Sequence, residues 1–321
     1  MKSTKWRELK ECPICGDKGK WCTTTEDMVV VLCRKVTSSR AVNQKDGSIA
    51  WLHPAPAAGV TAHKAKNNRP RLSPVEFENA VKQHQAGLNL ERLEKFSASL
   101  GLTSKSLQAY GVGYDPTRRA WSFPMRDGAR KVIGIHYRTD FGDKFCMSGS
   151  RLGLFIPTEY APAPLPQEVS DSMAPHVLIL PEGLSDACAA FDLGFPAIGR
   201  PSNSSGGPFI VELLDSIEVK QEVYVFSDND ETKRRPVTGE PFWPGIEGAI
   251  ELMGQIMDHA DCVRFMLAPK EHKDLRGWLR AGCTTMHLAA QMLGSQKINR
   301  YAWNRYRARI EEKRREEKLA G

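Results

Sequence analysis

Three carboxylates stand where they could act together. The stretches His176-Val-Leu-Ile-Leu-Pro-Glu-Gly183 and Glu222-Val-Tyr-Val-Phe-Ser-Asp-Asn-Asp230 are short β-branched, apolar runs that stop in acid. The first ends at Glu182, the second at Asp228 and Asp230. In an open parallel sheet the carboxyl ends of the strands border the crevice that holds ligands, so these acids would meet at one site. Carboxylates brought together repel, and a divalent cation is the usual remedy. Alone, Glu182 reads as a helix N-terminal charge favoured by the macrodipole. Its partnership with Asp228 and Asp230 argues for more.

A second cluster is made of sulfur. Cys12 and Cys15, followed by Gly16, form the tight knuckle that points two thiolates at one ion, and Cys22 and Cys33 lie on segments patterned as a hairpin turning near Glu26 and Asp27. In a cytosolic protein four such thiols fit a tetrahedral structural zinc site better than disulfides, and so short a segment would draw its stability from the metal. Buried free thiols, or His53 in place of one cysteine, are the alternatives. Lys18, Lys20, Trp21, Arg34 and Lys35 surround the cysteines, a mix of cations and an aromatic suited to holding single-stranded nucleic acid, or an ordinary ribbon surface. Cys188 and Cys262 sit in apolar stretches and read as core.

The elements that must position these groups follow from periodicity. From residue 176 the pattern alternates: strand 176–180, helix 184–192, short strand 195–198, helix 208–216, strand 222–227, helix 246–258, strand 261–267 and helix 274–281. That alternation implies a parallel sheet covered on both faces. The strand at 261–267 leads to His272-Lys273-Asp274, a cation and an acid at the same sheet edge. Ahead of this region lie helices at 73–84, 89–99 and 103–110, the first opened by a Ser73/Glu76 capping box. Antiparallel strands follow at 121–125, 131–138 and 143–147, carrying Arg138 and Lys144 into a Gly-containing turn at 148–154. The domain boundaries read 1–53, a zinc ribbon; 54–72, a Pro/Ala-rich linker; 73–160, a mixed α+β subdomain; 161–285, the parallel-sheet domain; and 286–321, a charged helical tail. A basic, proline-marked loop at 231–244 adjoins the acids, where it would touch phosphates or act as a lid.

Composition restricts the partners. The 321 residues are 41% hydrophobic with a formal charge of +7, but Lys and Arg outnumber Asp and Glu by 14 to 6 in residues 1–75 and by 8 to 4 in 300–321, leaving a mildly acidic centre of 23 against 28. Basic ends around an acidic centre suit a phosphate backbone; solvated tails are the plainer reading. No run of about 18 apolar residues and no charged-then-apolar leader is present, so neither a membrane span nor secretion is expected and the cytoplasm is the expected location.

The order of Cys12-x-x-Cys15 ribbon, linker, small mixed subdomain ending in Lys144-Phe and Gly149-Ser-Arg-Leu-Gly-Leu154, then Glu182-Gly183, Asp228-Asn-Asp230 and Lys273-Asp274 resembles the bacterial and phage DNA primases over about residues 10 to 285. The Glu and Asp-x-Asp arrangement is that of the TOPRIM domain, a Rossmann-like parallel sheet shared with topoisomerases and some nucleases. The resemblance implies an α/β enzyme that makes short primers on single-stranded DNA from nucleoside triphosphates. Glu182, Asp228 and Asp230 would hold Mg²⁺ (or Mn²⁺), with Asp274 as an additional catalytic acid and Arg138, Lys144 and Lys273 facing nucleotide phosphates. The ribbon, with structural Zn²⁺ on Cys12, Cys15, Cys22 and Cys33, would help recognise the template. Two features depart from the family: loop 231–244 separates Asp-x-Asp from the Gly245-led helix, and no helicase domain follows. The expectation is therefore a free-standing primase of a phage or mobile element, or one with a replicative helicase on a separate chain. The rivals are a TOPRIM Mg²⁺-dependent nuclease and a non-catalytic single-stranded-DNA-binding protein.

Overall fold

In the computed structural model the described residues are 6–18, 21–36, 38, 40–43, 49–55, 73–159, 165–218, 220–234 and 239–319. Lys20, the turn at 45–48, residues 56–72 of the linker and 235–238 of the basic loop lie outside them. Two units are distinguished, residues 1–71 with 115–120 and residues 72–114 with 121–321.

In the first unit, β1 (Trp6–Glu8), β2 (Thr23–Thr25), β3 (Val30–Cys33), β4 (Ala41–Asn43) and β5 (Ile49–Pro54) form an antiparallel sheet in the order β1-β2-β3-β5-β4. The β2–β3 turn falls where Glu26 and Asp27 placed it. The Asp27 carboxylate accepts from the Thr25 hydroxyl and from the Val29 N–H, while Met28 takes a left-handed φ of 56°. Among the described residues the core cluster is Cys12, Cys22, Val31 and Cys33, with Leu9, Ile14, Val36 and Ala55 packed against it. So small a core cannot hold the sheet by burial alone.

In the second unit, α1 (Pro74–Ala86), α2 (Leu90–Leu100) and α3 (Ser104–Ala109) each begin at a side chain that accepts from the first turn: Ser73, Asn89 and Thr103. The Ser73/Glu76 capping box forms as the spacing predicts. The sheet β6 (Gly113–Asp115), β7 (Ala120–Arg126), β8 (Val132–Thr139) and β9 (Lys144–Cys146) follows in chain order, and β8 and β9 set Arg138 directly opposite Lys144.

After a four-residue helix α4 (Gln167–Ser170), the alternating pattern appears as β10 (Val177–Leu180), α5 (Leu184–Asp192), α6 (Gly207–Ser216), β11 (Glu222–Ser227), β12 (Lys233–Arg234), β13 (Pro241–Phe242), α7 (Pro244–Ile256), β14 (Cys262–Leu267), α8 (Leu275–Arg280), α9 (Thr285–Leu293), β15 (Gln296–Ile298) and α10 (Arg300–Leu319). Strands β10, β11 and β14 are parallel neighbours. The period-two pattern sorts the core: Leu178, Leu180, Val223 and Val225 pack with α6 and α7, whereas Val177, Ile179, Tyr224 and Phe226 pack on the other face with α5 and α9. Cys188 and Cys262 are buried, as their apolar surroundings predict.

Two expectations need correction. The short strand read at 195–198 is reduced to bridges running parallel beside β10: the Ile179 N–H donates to the Pro196 carbonyl, the Ile198 N–H to the Ile179 carbonyl and the Arg200 N–H to the Pro181 carbonyl. The chain beyond 285 is not simply a charged tail. Strand β15 closes the sheet antiparallel to β14, and Leu288, Ala289 and Met292 of α9 are buried. Only α10 fits the tail pattern, and it too is anchored: the Trp303 indole donates to the Ile250 carbonyl at 2.7 Å. The charges that suggest a solvated helix occupy one side of α10, while its sparse aromatics suffice to dock the other.

Candidate active site

At the carboxyl end of β10 the chain turns sharply. Gly183 adopts φ 84° and its N–H donates to the Arg200 carbonyl at 2.8 Å, so Glu182 projects from the sheet edge just before α5. The next strand ends beside it. Asn229 explains how Asp228 and Asp230 are held: its backbone N–H donates to the Lys273 carbonyl at 2.7 Å, and its amide donates to the carbonyls of Ala268 and His272, both at 2.8 Å. The Asn between the two acids thus ties the β11 end to the loop after β14, and Lys273 comes to lie 3.6 Å from the Asp230 carboxylate. Asp274 caps α8, its carboxylate accepting from the Gly277 N–H at 2.6 Å.

The acids feel one another. Burial, then the charges of Asp186, Glu182, Asp274 and Asp230, pushes the Asp228 carboxyl up to about 8. Burial also raises Glu182, opposed by the nearby Arg200, and one Glu182 oxygen is buried with no hydrogen-bond partner. Asp186, which sequence reasoning missed, belongs here: it is 4% exposed, accepts from the Arg276 N–H at 2.8 Å, and is pushed up to about 7 by burial and by Asp274. Its signal was its place one helical turn after Glu182, in the first turn of the helix that leaves the acidic strand end. Arg200 was also missed. It is 1% exposed with two guanidinium nitrogens unpartnered, and nothing in its sequence context marks an arginine for burial.

These features fit a divalent cation: carboxylates crowded at a sheet edge, Glu182, Asp186 and Asp228 raised first by burial and then by neighbouring acids, with an orphaned buried oxygen. As placed, however, no three of their oxygens lie close enough to enclose an ion among the described residues, where the cysteines alone do so.

Across from the acids stands a pair of cations. Arg138 and Lys144 face each other between β8 and β9, like charges that oppose the pairing unless an anion comes between them. Neither has an ion-pair partner among the described residues, and burial, with the charge of Arg276, lowers the affinity of each for its proton. Lys144 lies within the field of Asp186 and Lys273. A cavity of about 90 Å³ is lined by Arg138, Lys144 and His136 on one side and by Gly183 and Ser185 of the acidic turn on the other. Burial and these two cations push the His136 imidazole down to about 4, so it stays neutral.

The cysteines form a centre of their own. The ligand atoms of Cys12, Cys15, Cys22 and Cys33 all lie within 4.8 Å of one another. The Cys15 and Cys22 sulfurs are 3.8 Å apart, close to the edge of a tetrahedron with Zn–S bonds of about 2.3 Å. Cys33 accepts N–H groups from Lys35 and Val36 at 3.4 and 3.3 Å. The four thiols fit zinc; His53 takes no part, its Nε2 lying 3.0 Å from the Val36 carbonyl. Of the cations near the ribbon, Lys18 and Lys35 pair with Glu11 and Asp17, while Trp21 is 60% exposed with Arg34 above its ring.

Neither a family model nor a curated protein matches the sequence. Solved structures are. The chain is similar to the zinc-binding and RNA polymerase domains of the Aquifex aeolicus primase, with 14% identity over 71% of this chain and 63% of that one and a TM-score of 0.50. It is also similar to the E. coli primase catalytic core, at 15% identity, 70% and 80% coverage and TM-score 0.48. A DnaG primase catalytic domain bound to ssDNA gives 16%, 70% and 78%, and 0.48. The likeness to the Aquifex protein is one of fold, a mixed α/β core. No helix among the described residues is long and apolar enough to cross a membrane.

Proposed function

We propose that this protein is a DNA primase whose TOPRIM-type sheet edge joins nucleotides into short primers on a single-stranded DNA template. The observation that carries the reading is a juxtaposition: the cross-strand pair Arg138 and Lys144, without an ion-pair partner among the described residues, lines one cavity with Gly183 and Ser185 of the turn that follows Glu182, and Lys144 feels the charge of Asp186. One side suits a divalent ion, the other a triphosphate, and the reaction class that needs both is nucleotidyl transfer.

Glu182, Asp228 and Asp230, with Asp186 and Asp274 close by, would hold Mg²⁺ or Mn²⁺. When bound, the ion lowers the cost of charge on the attacking, bridging and leaving oxygens. The chain's own groups do the rest. Arg138 and Lys144 fix the phosphates of the incoming nucleotide, and Lys273, already at Asp230, adds a cation on the acidic side. The neutral His136 leaves the phosphate charge to those cations. The nascent 3′-hydroxyl then attacks the α-phosphorus, and pyrophosphate leaves. The ribbon, with zinc on its four cysteines and Trp21 exposed, would engage the template.

The test is to incubate the protein with single-stranded DNA, labelled ribonucleotides and Mg²⁺. Labelled oligomers a few nucleotides long are expected. Template cleavage would point to a nuclease, and binding without either reaction to a non-catalytic protein.

A further inference from the structure

The segment between Asp230 and Gly245 and the helix α10 are the two parts of this unit that the acidic edge leaves unexplained, and they touch. Strands β12 and β13 pair Lys233 with Phe242 and Arg234 with Pro241, so the inserted residues leave the acidic edge as a hairpin. Its return is locked to α10: the Arg314 Nε donates to the Pro241 carbonyl at 3.3 Å, its guanidinium pairs with Glu247 at 2.8 Å, and the Lys313 ammonium sits 4.1 Å from the centre of the Trp243 ring.

Helix α10 is fixed along its inner side by Trp303, Tyr306 and Ile310. The indole of Trp303 lies so close on α7 that a Cβ at Gly254 would come within 2.6 Å of it. Its outer side presents Tyr301, Arg305 and Arg309 at four-residue spacing, all exposed, while Lys313, a further turn on, has swung round to the Trp243 ring. The Arg305 guanidinium lies 5.9 Å from the Tyr301 ring centre, and Tyr301 is 71% exposed. A helix that was merely solvated would be expected to neutralise such a row with the glutamates beside it. Among the described residues Arg305 and Arg309 form no ion pair, although Glu312 stands on a neighbouring row, while Arg300 and Arg314 are paired with Asp258 and Glu247.

We propose that this row, continued by Lys233 and Arg234 at the hairpin, is a track for single-stranded DNA leading away from the acidic edge. This deepens the primase reading and rests on it for the identity of the strand. The row spans about 12 Å along the helix, enough for about three nucleotides at the stacked spacing of a DNA strand. Unpaired guanidinium groups on a rigid support hold phosphates, and an exposed tyrosine beside them offers a face for a base; alternating cations and an aromatic favour an unpaired strand over a duplex.

The test is binding of the full-length protein to a fluorescent oligo-dT single strand, followed by anisotropy over a range of salt without Mg²⁺ or nucleotides. Two variants are compared with wild type, Arg305→Gln/Arg309→Gln and Tyr301→Ala, each first shown to melt as wild type does. The double variant is expected to bind at least about tenfold more weakly at moderate salt, with the slope of log affinity against log salt reduced by about 1.4. Tyr301→Ala is expected to weaken binding with the slope unchanged. Wild-type affinity and slope in the double variant would overturn the track, as would a loss confined to duplex DNA. Catalysis plays no part in this readout. Primer synthesis with unchanged binding would therefore remove the track alone, and a binding defect in a protein that makes no primers would remove the primase reading alone.

Discussion

At the scale of residues, the acidic edge makes ionised carboxyls costly at Asp186 and Asp228, by burial first and then by the acids beside them. The Asp228 carboxyl is pushed up to about 8 and Asp186 to about 7, so both take up protons on folding below those values. A carboxyl raised in the folded state contributes stability at low pH that is lost as pH climbs through its folded value. Without metal, the thermal midpoint should therefore fall between pH 5 and 8.5. Added Mg²⁺, which replaces those protons, should raise the midpoint more at pH 8.5 than at pH 5.5, and scanning calorimetry with and without Mg²⁺ measures both. Arg138 supports a separate prediction. With Lys144 opposite and no carboxylate partner among the described residues, Arg138→Gln should relieve a repulsion, leaving stability unchanged or slightly higher while the KM for nucleotide rises about tenfold or more. A fall in stability with an unchanged KM would mean that Arg138 serves the fold.

At the scale of elements, the hairpin β12–β13 shows how the sheet tolerates an insertion beside its most sensitive edge. Although fourteen residues separate Asp230 from Gly245, α7 still begins against the β11 end: a Cβ at Gly245 would sit 2.7 Å from the Asp228 carbonyl. Gly245→Val should push α7 off that carbonyl, costing about 1–3 kcal/mol, and should impair primer synthesis beyond what the lost stability explains; chemical denaturation and a primer assay at low temperature separate the two. The ribbon depends on another force. With hardly any core but four thiols, its fold should vanish with its metal. Chelation or Cys15→Ser should open residues 6–55 to proteolysis while the second unit keeps its own melting transition.

At the scale of the whole molecule, most of the architecture was legible because its signals are local. The strand 222–227 and the helix 184–192 match the observed β11 and α5 residue for residue, since alternation and helix entry are set by neighbours in the chain. What escaped is set by the tertiary fold. Strand β15 has three residues and exists because the β14 edge is there to pair with it. Asp186 becomes part of the acidic edge only when α8 folds over α5 and offers the Arg276 N–H, and Arg200 comes beside Glu182 only because its segment pairs with the end of β10. The basic ends that the composition shows resolve into a ribbon surface where Lys18 and Lys35 are ion-paired and an α10 row whose cations are not, two distributions with the same local charge count. The most direct measurement of the central proposal is template-dependent incorporation of labelled nucleotides with Mg²⁺, comparing wild type with Glu182→Gln of equal thermal stability. Short oligomers from wild type and a loss of at least about a hundredfold in the variant are expected; full synthesis by Glu182→Gln, or no oligomers from wild type, would contradict it.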